Sequence, residues 1–175
     1  MKIMIIGFSG SGKSTLAKTL AVHYQIPVLY MDTLNFASGW VERKSEVRNQ
    51  DLLHFLESHD QWVIDGNYQG AYFKRRAEEA DQIIYLSYNR FVCFYNAFIR
   101  YLKFRHKSRE SMTLGCDEKL DWEFIRWLLI DGRMPKRVSG FKTICQTYQD
   151  KALIFKNRRQ LKRYLQSKNI QYLKP

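Results

Sequence analysis

The stretch Gly7-Phe8-Ser9-Gly10-Ser11-Gly12-Lys13-Ser14-Thr15 fits the pattern GxxxxGK[ST], and its two flanks decide how it is read. Before it, Lys2–Gly7 carries the apolar run Ile3-Met4-Ile5-Ile6, which reads as a strand ending at glycine. After it, Leu16, Leu20 and Tyr24 recur at helical spacing through Lys13–Tyr24. A strand, a glycine loop and a helix in that order form an anion site. Glycines let successive backbone N–H groups turn inward, and the helix aims the positive end of its dipole at the same point. The pattern therefore predicts a purine nucleoside triphosphate, ATP foremost, cradled by Gly7, Ser9, Gly10, Ser11 and Gly12. Lys13 is expected on the β- and γ-phosphates, the Ser14 hydroxyl on Mg²⁺, and Thr15 on the α-phosphate.

Working outward, four more short, nearly all-apolar runs read as strands. They are Pro27–Met31 with Asp32 after it, Trp62–Ile64 with Asp65 after it, Gln82–Leu86, and Ala152–Phe155. Such runs suit a parallel sheet buried on both faces. Helical patterns fall near Glu46–Ser58, Phe73–Glu79, Asn89–Phe104, Leu120–Asp131, Pro135–Gln149 and Arg159–Ser167. Alternation of the two predicts an α/β, doubly wound sandwich, and 175 residues suit one domain. Phe91, Phe94, Tyr95, Phe98 and Leu102 share one helical stripe and are expected in the core. Arg105–Asp117, charged and containing Ser108, Ser111 and Gly115, is expected to be a mobile polar loop.

Composition narrows the function. No apolar run reaches the length needed to cross a bilayer and Met1 leads straight into a strand, so a cytoplasmic protein without membrane contact is expected. Cys93, Cys116 and Cys145 have no metal-ligand spacing and are expected to be reduced, buried thiols. The net charge of +12 comes wholly from residues 100–175, where nineteen Lys/Arg face seven Asp/Glu; residues 1–99 hold ten of each. A basic C-terminal part suits phosphates, a phosphorylated substrate or a nucleic-acid backbone. An Asn-Lys-x-Asp guanine-reading motif is absent, and Asp65 is followed by Gly66 rather than the glutamate of motor ATPases. Among proteins with this loop, the phosphotransferases remain.

Beyond the loop, Leu29-Tyr30-Met31-Asp32-Thr33-Leu34 with Gly39-Trp40, and Trp62-Val63-Ile64-Asp65-Gly66-Asn67-Tyr68, are more specific. So are Arg76 before Ala80-Asp81-Gln82, Trp127 with Pro135-Lys136-Arg137, and Lys156-Asn157-Arg158-Arg159. In this order they resemble the adenylate-kinase-like family labelled "DNA topology modulation protein", over nearly the whole chain. Where adenylate kinases follow a comparable Asp-Gly with Phe-Pro-Arg, this chain has Asn67-Tyr68-Gln69. The resemblance implies a nucleoside-monophosphate-kinase-like five-stranded sheet in the order 2-3-1-4-5. It also implies an acceptor-site insert near 33–60 and a lid near 100–119.

Roles follow from those placements. Phosphoryl transfer relies on positioning and on neutralising charge, which assigns catalysis to Lys13 and to lid arginines, Arg105 and Arg109 with Arg100 beside them. Asp32, at a carboxyl edge of the sheet, can take the proton of an attacking hydroxyl; otherwise it merely ends a strand. Asp65 can hold Mg²⁺ with Ser14, or else cap the Gly66-Asn67 turn. Trp40, Arg43, Tyr68 and Arg76, with Asp32 and Asp65, are the acceptor-binding candidates, and Asn157 and Arg158 those beside the adenine. The leading expectation is an ATP-dependent kinase acting on a small molecule or nucleotide. The alternatives are a nucleic-acid-linked protein, whether polynucleotide kinase or topology regulator, and an ATP sensor with negligible turnover.

Overall fold

A computed structural model describes residues 1–105, 107 and 109–173 of the chain; His106 and Ser108 of the expected lid lie outside the described residues. Five parallel strands form the central sheet: β1 (Lys2–Gly7), β2 (Val28–Tyr30), β5 (Trp62–Asp65), β6 (Gln82–Leu86) and β7 (Ala152–Phe155). Their order is β2-β5-β1-β6-β7, which is the expected order of the five predicted strands. Ile3, Met4, Ile5 and Ile6 are all fully buried although alternate residues of a strand point to opposite faces, so helices cover the sheet on both sides. Helix α1 (Lys13–Tyr24) packs over β1, β2 and β5, α4 (Phe73–Glu79) on β1, α7 (Pro135–Thr147) on β6 and β7, and α8 (Arg158–Ser167) on β7.

Parallel register aligns the strand ends. Tyr30 pairs with Asp65, Asp65 with Ile5, and Gly7 with Leu86, so β1, β2, β5 and β6 deliver their following loops to one edge. Between β2 and β5 the chain forms a short helix α2 (Met31–Asn35), a small antiparallel pair β3 (Phe36–Ala37) and β4 (Val41–Glu42), and α3 (Ser45–Ser58). Asp32 thus sits in the first turn of α2 rather than at the tip of a strand. After β6 come α5 (Arg90–Phe104), capped by the Asn89 side chain, and α6 (Trp122–Leu129), capped by Asp121.

Two expectations are corrected. The stripe Phe91, Tyr95, Phe98 and Leu102 faces solvent, with Phe91 70% exposed, because α5 turns Cys93 and Ala97 inward instead. Small side chains there let the helix approach the glycine loop: Cys93 packs against Gly10, where any Cβ would collide with the Cys93 carbonyl. From Arg109 to Lys119 the segment after α5 is no loose polar tether either. Ser111, Met112, Cys116 and Glu118 are buried in it, and it is laced to the β3–β4 hairpin. Thr113 Oγ1 donates to the Phe36 carbonyl at 2.6 Å, the Gly39 N–H to the Gly115 carbonyl at 3.0 Å, and Trp40 Nε1 to the Asp117 carbonyl at 3.0 Å. The three cysteines are free and buried, as expected. No helix among the described residues is long and apolar enough to cross a membrane.

Arg76 is the largest charged group in the core and is fully buried. Its guanidinium donates to the carbonyls of Ala71 at 3.0 Å, Gly66 at 3.1 Å and Tyr68 at 2.8 Å, fixing the loop that follows β5. Burial, and then the nearby charge of Arg48, bring its pKa down to about 9, which leaves it charged at neutral pH. Arg76→Ala strands three carbonyls in the interior and is expected to cost about 3 kcal/mol or more, read as a lower urea midpoint at unchanged slope.

Candidate active site

The edge where the strands end opens into a cavity of about 890 Å³. Its floor is the glycine loop. Gly10 and Gly12 adopt φ of 74° and 90°, left-handed values that glycine reaches without steric cost. Gly12 precedes α1 and offers no capping side chain, so the first-turn N–H groups of that helix stay open for an anion. Ser9, Gly10, Gly12, Lys13, Ser14 and Thr15 line the cavity, whereas Gly7 and Ser11 do not. Lys13 Nζ donates to the Phe8 carbonyl at 3.2 Å, folding the lysine across the loop.

Two asparagines hold this loop in shape. Asn67 takes a hydrogen bond from the Gly7 N–H at 2.9 Å and returns one to the Gly7 carbonyl at 2.6 Å. Asn96 of α5 donates to the Gly10 carbonyl at 3.0 Å. Neither appeared among the sequence candidates. A pairing that joins residues 60 or 86 apart leaves no local spacing to read.

Beside the loop, Ser14 Oγ donates to Asp65 Oδ2 at 2.7 Å. The other oxygen, Oδ1, is buried without a hydrogen-bond partner. A hydroxyl and an orphaned carboxylate oxygen together suit a hard divalent cation such as Mg²⁺. Burial foremost pushes the Asp65 pKa up and Asp32 adds to the rise, while Lys13, the Ser14 hydrogen bond and Arg109 oppose it.

Asp32 also lines the cavity, and its Oδ1 accepts a 2.7 Å hydrogen bond from the Tyr68 hydroxyl. Burial, and then the Asp32 charge, raise the Tyr68 pKa far above the ordinary phenol value, so the hydroxyl remains a donor. Arg48 lies over the Tyr68 ring, 5.9 Å from its centroid, and Trp40 meets Phe36 edge-on at 5.3 Å. Across the cavity Arg137 stacks on Trp127 at 4.3 Å. Arg109, Arg100 and Glu118 form another part of the wall.

The structure therefore gathers Lys13, Ser14, Asp32, Asp65, Trp40, Tyr68, Arg109 and Arg158 around one space. Four candidates are placed elsewhere. Arg76 is used up on the three carbonyls described above. Arg43 is spent on the Leu34 carbonyl at 3.2 Å and on Asp51 at 2.6 Å, which secures the hairpin to α3. Asn157 caps α8 by accepting from the Gln160 N–H at 3.0 Å, the ordinary use of asparagine before a helix. Arg105 is exposed, meets Glu118 in an isolated main-chain bridge, and does not line the cavity.

No family model matches the chain, and no curated protein does. Solved structures do share its fold. Deoxyadenosine kinase from M. mycoides with bound dATP superposes with a TM-score of 0.51 at 16% identity, covering 97% of this chain and 99% of that one. Shikimate kinase from Bacteroides thetaiotaomicron gives 0.48 at 17% identity over 97% and 96% of the two chains. A gluconokinase from Sinorhizobium meliloti 1021 gives 0.43 at 18%, over 78% of each. The chain shares the fold of that deoxyadenosine kinase.

The raised Asp65 pKa has a sign that can be checked. The folded protein holds this proton more tightly than the unfolded chain does, so stability falls as pH rises through the folded pKa. Asp65→Asn escapes that loss. Its melting temperature is expected to exceed that of the wild type at pH 7, with the difference closing as pH falls towards 4, in thermal scans without nucleotide.

Proposed function

We propose that the chain is a kinase-like phosphotransferase, adenylate-kinase-like in outline, that moves the γ-phosphoryl group of ATP to a hydroxyl of a small molecule. The observation that carries this reading is the meeting, in one cavity, of the glycine loop with Lys13, the Ser14–Asp65 pair and the Asp32–Tyr68 pair. The first group suits the triphosphate. The second suits Mg²⁺, which when bound neutralises phosphate charge. The third suits an acceptor.

The chemistry follows from the residues. Loop N–H groups and Lys13 draw charge from the phosphates as it builds on the leaving oxygen. Tyr68 occupies Oδ1 of Asp32 and fixes the carboxylate, leaving Oδ2 to accept the hydroxyl proton as the acceptor oxygen bonds to phosphorus. A phosphate acceptor has no such proton to give at neutral pH, so Asp32 favours an alcohol. Trp40, Phe36 and Tyr68 offer apolar and aromatic surface for the acceptor's body. Arg158, over the Tyr172 ring near Gly12, suits the base of the donor.

Calorimetry with MgATP and an ADP-release screen over hydroxylated metabolites test this. Lys13→Ala is expected to lower MgATP affinity by at least about tenfold, the loss of one charge-assisted contact. Asp32→Asn is expected to bind MgATP within about twofold of wild type, yet to lose on the order of a hundredfold in turnover. Unchanged MgATP binding by Lys13→Ala, or full turnover by Asp32→Asn, overturns the assignment.

A further inference from the structure

Glu118 is a buried acid that the sequence reading left without a role. Its side chain is 3% exposed, it lines the cavity, and it draws in two arginines. Arg100 Nη2, from the last turns of α5, approaches one oxygen at 2.8 Å, and Arg109 Nε approaches the other at 2.5 Å. Two guanidinium groups on one carboxylate leave the trio with a net positive charge facing the cavity. That arrangement is unfavourable by itself. Burial foremost, and then the like charge of Arg109, push the Arg100 pKa down, and Glu118 opposes both.

The charges around the trio show what it faces. Arg100, Arg109, Asp32 and Asp65 line the same cavity, and the charge of Arg100 bears on Asp32 and that of Arg109 on Asp65. Arg109 is steadied further by donating to Ser111 Oγ at 2.9 Å. Glu118 itself is held in place by its neighbours. Cys116 and Asp117, just before it, bond to the Ala37 carbonyl and, through the Asp117 carbonyl, to Trp40. The acid therefore has a fixed position from which to hold the two cations together against their repulsion.

We propose that Glu118 is a positioning residue that holds Arg100 and Arg109 as a pair aimed at the phosphoryl group in transfer, an inference that rests on the phosphotransferase reading above. Glu118 touches no reacting atom. It supplies half the countercharge the arginines need, and the other half comes from the phosphoryl oxygens as their charge is redistributed. The pair thus binds the transition state more strongly than the bound donor, which is the condition for raising a rate.

The test needs no knowledge of the acceptor. MgADP affinity is measured by calorimetry on the full chain with and without tetrafluoroaluminate, a planar stand-in for the moving phosphoryl group. Wild type is expected to bind MgADP more tightly with the fluoride complex. Glu118→Gln, which keeps the shape and removes the charge, is expected to lose about tenfold or more of that tightening while MgADP alone changes by less than about twofold. Glu118→Asp is expected to recover part of it. Equal tightening in wild type and Glu118→Gln overturns the inference, as does a loss that falls equally on MgADP alone. A wild type that binds MgATP but shows no tightening also overturns it and leaves the phosphotransferase reading standing. A wild type that binds no MgATP defeats that reading instead. Should Glu118→Gln melt below the assay temperature, Arg109→Lys decides on the same two measurements: lost tightening supports the pair, and unchanged tightening overturns it.

Discussion

Backbone amides bind a polyphosphate only while they all point at one place, and a loop of glycines does not hold such a shape unaided. Freedom that lets Gly10 and Gly12 take left-handed angles also enlarges the set of conformations available to the loop. The rest of the molecule removes that freedom. Asn67 closes on both backbone groups of Gly7, Asn96 takes the Gly10 carbonyl, and Cys93 packs so close to Gly10 that the loop has no room to collapse. Arg76 in turn fixes the loop that carries Asn67 by holding the carbonyls of Gly66 and Tyr68. The phosphate site is thus braced from β5 on one side and α5 on the other, and its shape is a property of the fold.

This chain of supports explains why Asp65 and Tyr68 lie where they do. The β5 loop that braces Gly7 also presents Asp65 to Ser14 and Tyr68 to Asp32. One short segment, Asp65-Gly66-Asn67-Tyr68, therefore serves the phosphate loop, the cation-suited pair and the acceptor side in four consecutive residues. A change in its backbone would disturb all three at once.

Local patterns made the sheet and the glycine loop legible. Apolar runs of three to six residues, each followed by a polar or glycine stop, marked the five strands, and helix limits such as Phe73–Glu79 followed from spacing and flanks. Long-range pairing was not legible. The exposed stripe of α5 has the same period as a buried one, and only the need to bring Cys93 against Gly10 decides which face turns inward. Arg43, Arg76 and Asn157 have the right chemistry for ligands, but carbonyls, a carboxylate and a helix end within the protein claim them first. Glu118 escaped notice because one acid beside Asp117 in a polar, charged stretch reads as a surface residue until two arginines from different segments are seen to meet on it.

The same lesson applies to how the cavity is covered. Segment 109–119 carries Arg109 and Glu118, while the β3–β4 hairpin carries Phe36 and Trp40; the two are joined by hydrogen bonds from Thr113, Cys116 and Gly39 and by the indole of Trp40. Separating them breaks several hydrogen bonds together, those of Thr113 and Cys116 partly buried. The two segments therefore form one wall of the cavity, tied to α5 by the Arg100–Glu118 ion pair. The aromatic surface of Phe36 and Trp40 and the charge of Arg109 are thereby held in fixed relation on that wall. Arginine charge placed there beside the buried Glu118 acts in low-dielectric surroundings, where it is strongest.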